Sequence, residues 1–178
     1  YWQGDVQDGM EETISGGRRK QYARPTINSY MYGNAMALAE MAKMKGEASS
    51  VKKYEEKAAE IKNLIQTQLW NKDSIFFETL RAPGEFALVR EAIGYIPWYF
   101  NLPDQKDEYA QSWKQVTDPK GFLAPYGLTT AERRHPLFRS HGCCNCVWDG
   151  AVWPVATAQT LTAMATVINN SKQAVVND

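Results

Sequence analysis

The residues best placed for chemistry lie between His141 and Pro154, where two tryptophans, a histidine, a carboxylate and all three cysteines share fourteen positions. Trp148 and Trp153 bracket Asp149 in sequence. A carboxylate near indole rings suits a sugar, whose C–H faces stack on aromatics and whose hydroxyls donate to charged acceptors. The stretch closes on Pro154, and proline fits the first turn of a helix because its missing N–H would have no partner there. Trp148, Asp149 and Trp153 are therefore expected on a loop that feeds a helix, a common mounting for functional groups. A second set, Asp5, Asp8, Glu11 and Glu12 beside Trp2 and Met10, sits in a glycine-punctuated loop. Each of these carboxylates taken alone reads as a solvated loop residue. Cys143, Cys144 and Cys146 are odd in number and lack the paired Cys-x-x-Cys spacing of structural zinc, so the expectation is a buried or substrate-lining thiol cluster and no metal or other cofactor. His135 and His141 have no visible partner and read as structural or exposed.

A chain of 178 residues suffices for one domain with a real core. Lys+Arg equals Asp+Glu at 20 each with no basic cluster, which argues against a nucleic-acid partner. No apolar run approaches a membrane span, and the start shows no signal peptide. The chain begins at Tyr1 in mid-pattern, so a fragment or processed chain is expected.

Thr26 to Lys45 reads as a helix, with Ala35, Leu38, Ala39, Met41 and Ala42 at helical spacing and Gly46 just past its end. Its first half, Tyr30 to Asn34, is uncharged and suggests burial on most sides. Ser49 or Ser50 is expected to cap a second helix reaching about Trp70, with Val51, Tyr54, Ala58, Ile61, Ile65 and Leu69 as its apolar stripe. The short joint makes the pair antiparallel, an inner and an outer member of a hairpin. A minor β-hairpin is expected from 75–79 paired with 86–89 across Ala82-Pro83-Gly84. The aromatic run from Arg90 to Phe100 reads as a short buried helix or loop. Asp104 to Val116 reads as a helix with Tyr109, Trp113 and Val116 inward, and a long irregular stretch follows from Asp118. Pro154 to about Asn169 is a final, uncharged, inner-type helix.

Five blocks then carry a resemblance over nearly the whole chain: 8–15, 24–33, 93–100, 126–132 and 148–154. In that order they resemble the catalytic domains of six-hairpin glycosidases, the mannosylglycerate-hydrolase-like relatives of glycoside hydrolase family 63 and trehalase. The resemblance implies an all-α fold, a partial α/α toroid making about half of the ring across residues 1–178. It also implies inverting hydrolysis by two carboxylates, one protonating the leaving oxygen while the other activates water. Glu11 matches the position of the general acid, with one methylene more than the aspartate found in relatives. No residue matches the general base, which relatives carry on a later hairpin. Ala151 stands where the Trp-x-Gly-Pro-x-Trp block has proline, and the position of Asp149 matches a sugar-hydroxyl ligand. The basic segment 17–23 is longer than the turn expected there.

Trp2, Asp8, Tyr30, Trp98, Tyr126, Trp148, Asp149 and Trp153 are the expected sugar-binding residues, although large aromatics such as Trp98 and Trp153 read equally well as core. Glu132, next to Arg133 and Arg134, reads as an ion-pair residue. The expected partners are an oligosaccharide or glycoside substrate, and either the rest of the toroid or a second copy covering the uncharged helices. The resemblance suggests a periplasmic or secreted bacterial enzyme. Two alternatives stand beside the hydrolase: a non-catalytic carbohydrate-binding helical domain, and a metal or redox module built on the cysteines.

Overall fold

The computed structural model describes residues 10, 12–16, 20–140 and 147–172. Helix α1 (Pro25–Lys45) begins on proline and ends where Gly46 turns left-handed at φ 73°. There Gly46 N–H donates to Lys43 O and Glu47 N–H to Ala42 O, the paired bonds of a Schellman motif. Helix α2 (Ala48–Leu64) starts directly after Glu47, with no side-chain cap. The expected serine cap is therefore not used. Ser50 instead donates its hydroxyl to the Glu47 carboxylate at 3.2 Å, because the Schellman turn has already drawn the chain into the helix. α2 folds back on α1, and Lys43 reaches across to Glu55 at 3.0 Å. Beyond α2 the helix widens into a π turn, Ile65–Leu69, which buries Ile65 and Leu69 completely.

The expected single β-hairpin is replaced by two. β1 (Trp70–Asn71) pairs antiparallel with β2 (Phe76–Phe77), and β3 (Leu80–Ala82) with β4 (Glu85–Phe86) around Gly84. Phe76 and Phe77 are both buried, so this strand faces protein on each side and turns back on Trp70–Asn71. Leu88, exposed and at φ 57°, breaks the extended run expected from 86 to 89. A 3-10 turn, Ala92–Tyr95, then runs into helix α3 (Ile96–Tyr99), which packs on α1. The helix expected from 104 to 116 forms as three short turns: α4 (Asp107–Ala110), a 3-10 turn (Gln111–Trp113) and α5 (Lys114–Thr117). Tyr109, Trp113 and Val116 point inward as their spacing required. β5 (Leu123–Ala124) and β6 (Gly127–Leu128) form a third small hairpin, and α6 (Pro154–Asn170) closes the described chain against α3.

The core is aromatic. Phe76 lies edge-on to Tyr95 at 5.0 Å and stacks on Phe122 at 5.8 Å, while Tyr95 packs on Trp113 at 4.6 Å. Trp98 fills the space between Phe77 and Trp113, at 5.2 and 5.4 Å. It is buried among these rings, which accounts for its place in the sequence by packing. Edge-to-face pairs of this kind add about 0.5–1.5 kcal/mol each beyond the area they bury. α1 is less buried than its uncharged first half suggested: Met31, Met36, Leu38, Met41 and Met44 are exposed, as are Leu161 and Ile168 on α6.

Gly94 sits where a Cβ would overlap both the Phe76 ring and the Phe77 carbonyl. Gly94→Ala is expected to destabilise the fold by about 1–3 kcal/mol, the usual cost of overpacking a filled core. A thermal melt showing no loss would contradict the tight approach of the 92–95 turn to β2.

Candidate active site

Short backbone bridges bring the irregular segments together. Glu12 pairs parallel with Val147, and Trp148 N–H donates to Glu12 O at 2.9 Å. Thr129 pairs with Val152, and Glu91 with Ala131. Thr130 ties the next loop twice, its N–H and hydroxyl both donating to Ala151 O, while its Oγ1 accepts from Gly150 N–H at 3.0 Å. Three of the five sequence blocks, 8–15, 126–132 and 148–154, are thus joined at one place.

The segment just after Glu11 is held from below by buried charge. Arg24, 4% exposed, donates from Nη1 to Met10 O at 3.2 Å and from Nη2 to Thr13 Oγ1 and Gly16 O. Arg81 donates to Ser15 O at 3.0 Å, and Ser15 N–H donates to Glu91 Oε1 at 3.0 Å. Burial pushes the Glu91 carboxyl above its ordinary value, opposed by the Ser15 hydrogen bonds and the Arg24 charge. Burial raises Glu78 as well, against donors that include Asn71 Nδ2 at 3.1 Å.

Between these segments lies a cleft of about 400 Å³, walled by Glu12, Thr13 and Ile14 on one stretch and by residues 136–139 on another, with Asp149 in its lining. Asp149 is buried, and its Oδ2 accepts from Arg139 Nε and forms an ion pair with the same guanidinium through Nη2. Arg139 N–H also donates to Asp149 O at 3.0 Å. Asp149 Oδ1 is buried with no hydrogen-bond partner among the described residues. Gly150, at φ 151°, permits this approach, since a Cβ there would overlap Arg139 O and the Phe138 ring.

The other expected site residues are distributed differently. Trp148 and Trp153 stack on each other at 5.2 Å and 17°, which leaves no space for a sugar ring between them. Trp153 donates its indole N–H to Val147 O at 2.7 Å and so braces the loop. Tyr30 accepts from Gln159 at 2.6 Å and meets Phe100 edge-on, joining α1 to α6 away from the cleft lining. Burial raises its phenol above the ordinary value, with the neighbouring Tyr99 adding to the effect. Tyr126 is almost fully exposed on the β5–β6 turn and also lies off the cleft lining. Trp98 belongs to the core. Trp2, Asp8, Glu11, His141 and the three cysteines lie outside the described residues.

Glu132 forms the expected ion pair with Arg134, at 3.3 Å, and a second with Arg90, at 2.8 Å. Its neighbour Arg133 instead donates to the carbonyls of Pro119 and Leu123. His135 accepts Leu137 N–H on Nδ1 at 3.1 Å, a local turn contact. The residues that sequence reasoning missed are Arg139 and its neighbours on the cleft wall. An arginine ten positions before a carboxylate has no periodicity to reveal the pairing. Among the described residues no group of three or more His, Cys, Asp or Glu could hold a metal ion, and no helix is long and apolar enough to cross a membrane.

The family model of the mannosylglycerate hydrolase MGH1-like glycoside hydrolase domain matches residues 1–177. The chain belongs to this glycoside hydrolase family. A solved structure named "Sialidase" is similar to it at 62% identity and a TM-score of 0.94, over 98% of this chain and 16% of that one. The GH63 mannosylglycerate hydrolase from Thermus thermophilus, solved in complex with glucose, is similar at 18% identity and a TM-score of 0.69, over 88% of this chain and 37% of that one. Neutral trehalase from Saccharomyces cerevisiae is similar at 17% identity and a TM-score of 0.70, over 89% of this chain and 30% of that one. This glycoside hydrolase domain therefore spans well under half the length of each of these three structures. Curated proteins offer no match. The fold is a partial α/α toroid, with α1 and α2 forming a complete helical hairpin.

The buried carboxyls make the domain's stability depend on pH in a defined direction. A carboxyl raised by burial keeps its proton in the folded state at a pH where the unfolded chain has released it. Its contribution is fully present below the unfolded value near 4.5 and is lost as pH rises through the folded value. Stability is thus expected to fall as pH climbs from 4.5, and Glu91→Gln to flatten that slope in denaturant titrations across the window. An unchanged slope would assign the titration to other groups.

Proposed function

We propose that this domain forms one wall of the catalytic pocket of an inverting glycoside hydrolase acting on an oligosaccharide or glycoside. Glu11 donates the proton to the leaving oxygen. The water-activating carboxylate comes from outside these residues, roughly 6.5–9.5 Å across the bound sugar, the separation that leaves room for the water. Asp149 serves the glycone by accepting a hydroxyl rather than by proton transfer. The remainder of the toroid covers the exposed apolar faces of α1 and α6, where Met41 and Met44 stand out at 57% and 89% exposure. Such unpaired apolar faces mark an interaction surface.

The observation that carries this reading is the cleft itself. It lies between the segment that follows Glu11 and the 136–139 stretch, with Asp149 in its lining, and its volume of about 400 Å³ falls in the range of small-molecule sites. Family membership supports the hydrolytic chemistry, and the buried Arg24 and Glu91 supply the rigid mounting that a proton donor needs.

The test uses the full-length protein and a panel of aryl and disaccharide glycosides. Glu11→Gln is expected to lower kcat about 10²–10⁴-fold, the range of lost general acid catalysis, while sugar binding persists. Proton NMR of the first-formed product is expected to show the inverted anomer. A retained anomer would refute the inverting assignment, and wild-type turnover in Glu11→Gln would remove that residue from the role.

A further inference from the structure

The two walls of the cleft are pinned together at one end. Glu12 pairs with Val147 and accepts Trp148 N–H, while Arg139 N–H donates to Asp149 O, so residues 12 and 139 meet the same short loop. The charged members of the lining, Glu12, Arg139 and Asp149, gather at that corner. Away from it, Ile14 follows on one wall, and Leu137 and Pro136 on the other. The cleft thus grades from a charged end to an aliphatic one. Leu137 stands 64% exposed in this lining. A leucine exposed on a mobile loop would carry no information, but this one is presented by a braced turn. Leu137 N–H donates to His135 Nδ1 at 3.1 Å, and Phe138 N–H to His135 O at 3.0 Å. Just before the turn, Arg133 donates to Pro119 O and Leu123 O and Arg134 to Lys120 O; just after it, Arg139 is held on Asp149. A side chain carried on such a turn loses little further freedom when a ligand packs on it.

The chemistry of that end separates two kinds of leaving group. A second sugar asks for an aromatic face against its C–H surface and for charged or amide partners to its hydroxyls. Ile14, Pro136 and Leu137 offer neither, and the Phe138 ring is turned toward Gly150, where a Cβ would meet its Cε2 at 2.8 Å. An alkyl or aryl group, by contrast, gains simply by burying its surface against aliphatic side chains. We propose that the Ile14–Leu137 end of the cleft is an aglycone subsite for an apolar alcohol, with Leu137 as its specificity-determining residue. The substrate is then an alkyl or aryl glycoside and not an oligosaccharide. This rests on the reading of the cleft as the hydrolytic site and narrows the leaving group for it. No proton transfer is assigned to Leu137.

The experiment uses the full-length protein and measures hydrolysis and, in parallel, binding by calorimetry. The probes are ethyl, butyl and hexyl glucosides and mannosides of both anomers, with the matching glucose and mannose disaccharides. The leaving alcohols of the alkyl series differ little in acidity, so chain length varies the apolar surface and leaves the chemistry alone. For the wild type, kcat/KM is expected to rise about two- to fourfold per added methylene, the size of burying one such group. The rise should sit in KM, as for a contact made equally in ground and transition states. Leu137→Ser should bring the hexyl-to-ethyl ratio close to one, and Leu137→Met, which restores apolar surface, should recover most of it. That ratio separates recognition from a merely structural role, which would lower every probe alike. A hexyl-to-ethyl ratio unchanged in Leu137→Ser would overturn the proposal. So would a fall in melting temperature of that variant with the ratio kept, which would assign Leu137 to contact with the rest of the protein. Turnover that ignores chain length, or that favours the disaccharides over the hexyl glycosides, overturns this proposal alone and leaves the hydrolase reading standing. Binding that strengthens with chain length and depends on Leu137, without turnover, overturns the hydrolase reading and leaves the apolar subsite in place.

Discussion

Arg24 takes a full charge into the protein, and the site loop depends on where its hydrogen bonds go. Burying a guanidinium is costly unless its donors are satisfied, and here they are met by Met10 O, Thr13 Oγ1 and Gly16 O. The same residue is the last before α1, and Asn28 Nδ2 donates back to Arg24 O at 2.8 Å. Loop and helix are thus locked through one side chain. Glu91 completes the arrangement from the opposite side by accepting Ser15 N–H. Removing either partner would strand buried polar groups, which gives this small network its control over the segment beside Glu11.

The molecule meets a general difficulty of loop-rich proteins, that buried backbone groups must be paired without a sheet to pair them. It does so with isolated bridges: Glu12 with Val147, Ala23 with Leu80, Glu91 with Ala131 and Thr129 with Val152. The aromatic cluster around Tyr95 supports them. Tyr95 is fully buried and donates its hydroxyl to Ser112 O at 3.1 Å, so even the centre of the core satisfies its polar atom. Close approaches at Gly94 and Gly150 bring backbone to backbone where a side chain would hold it off. The cleft between the 12–14 and 136–139 segments is a product of these contacts.

Much of the framework could be read from residue order. Pro25, Gly46 and Pro154 mark helix ends for local steric reasons, and the structure places those ends within a residue of the expected positions. Tyr109, Trp113 and Val116 kept their inward face even though one expected helix broke into three turns. The aromatics were harder to assign. Spacing cannot distinguish an indole that packs on another indole from one that waits for a sugar, and Trp148, Trp153 and Trp98 all found protein partners. The strands from 70 to 86 changed partners because pairing was decided by which faces were buried, a property of the assembled core.

The sequence alone determined the helix ends at Pro25, Gly46 and Pro154, the inward stripe of Tyr109, Trp113 and Val116, and the family, because each rests on local sterics, periodicity or ordered blocks of residues. Tertiary structure decided which charges meet. Arg24 reaches the 10–16 loop, Arg90 takes Glu132, and Arg139 takes Asp149. Such pairings depend on distances through space between segments that chain order leaves independent, and only folding brings their atoms within hydrogen-bond reach.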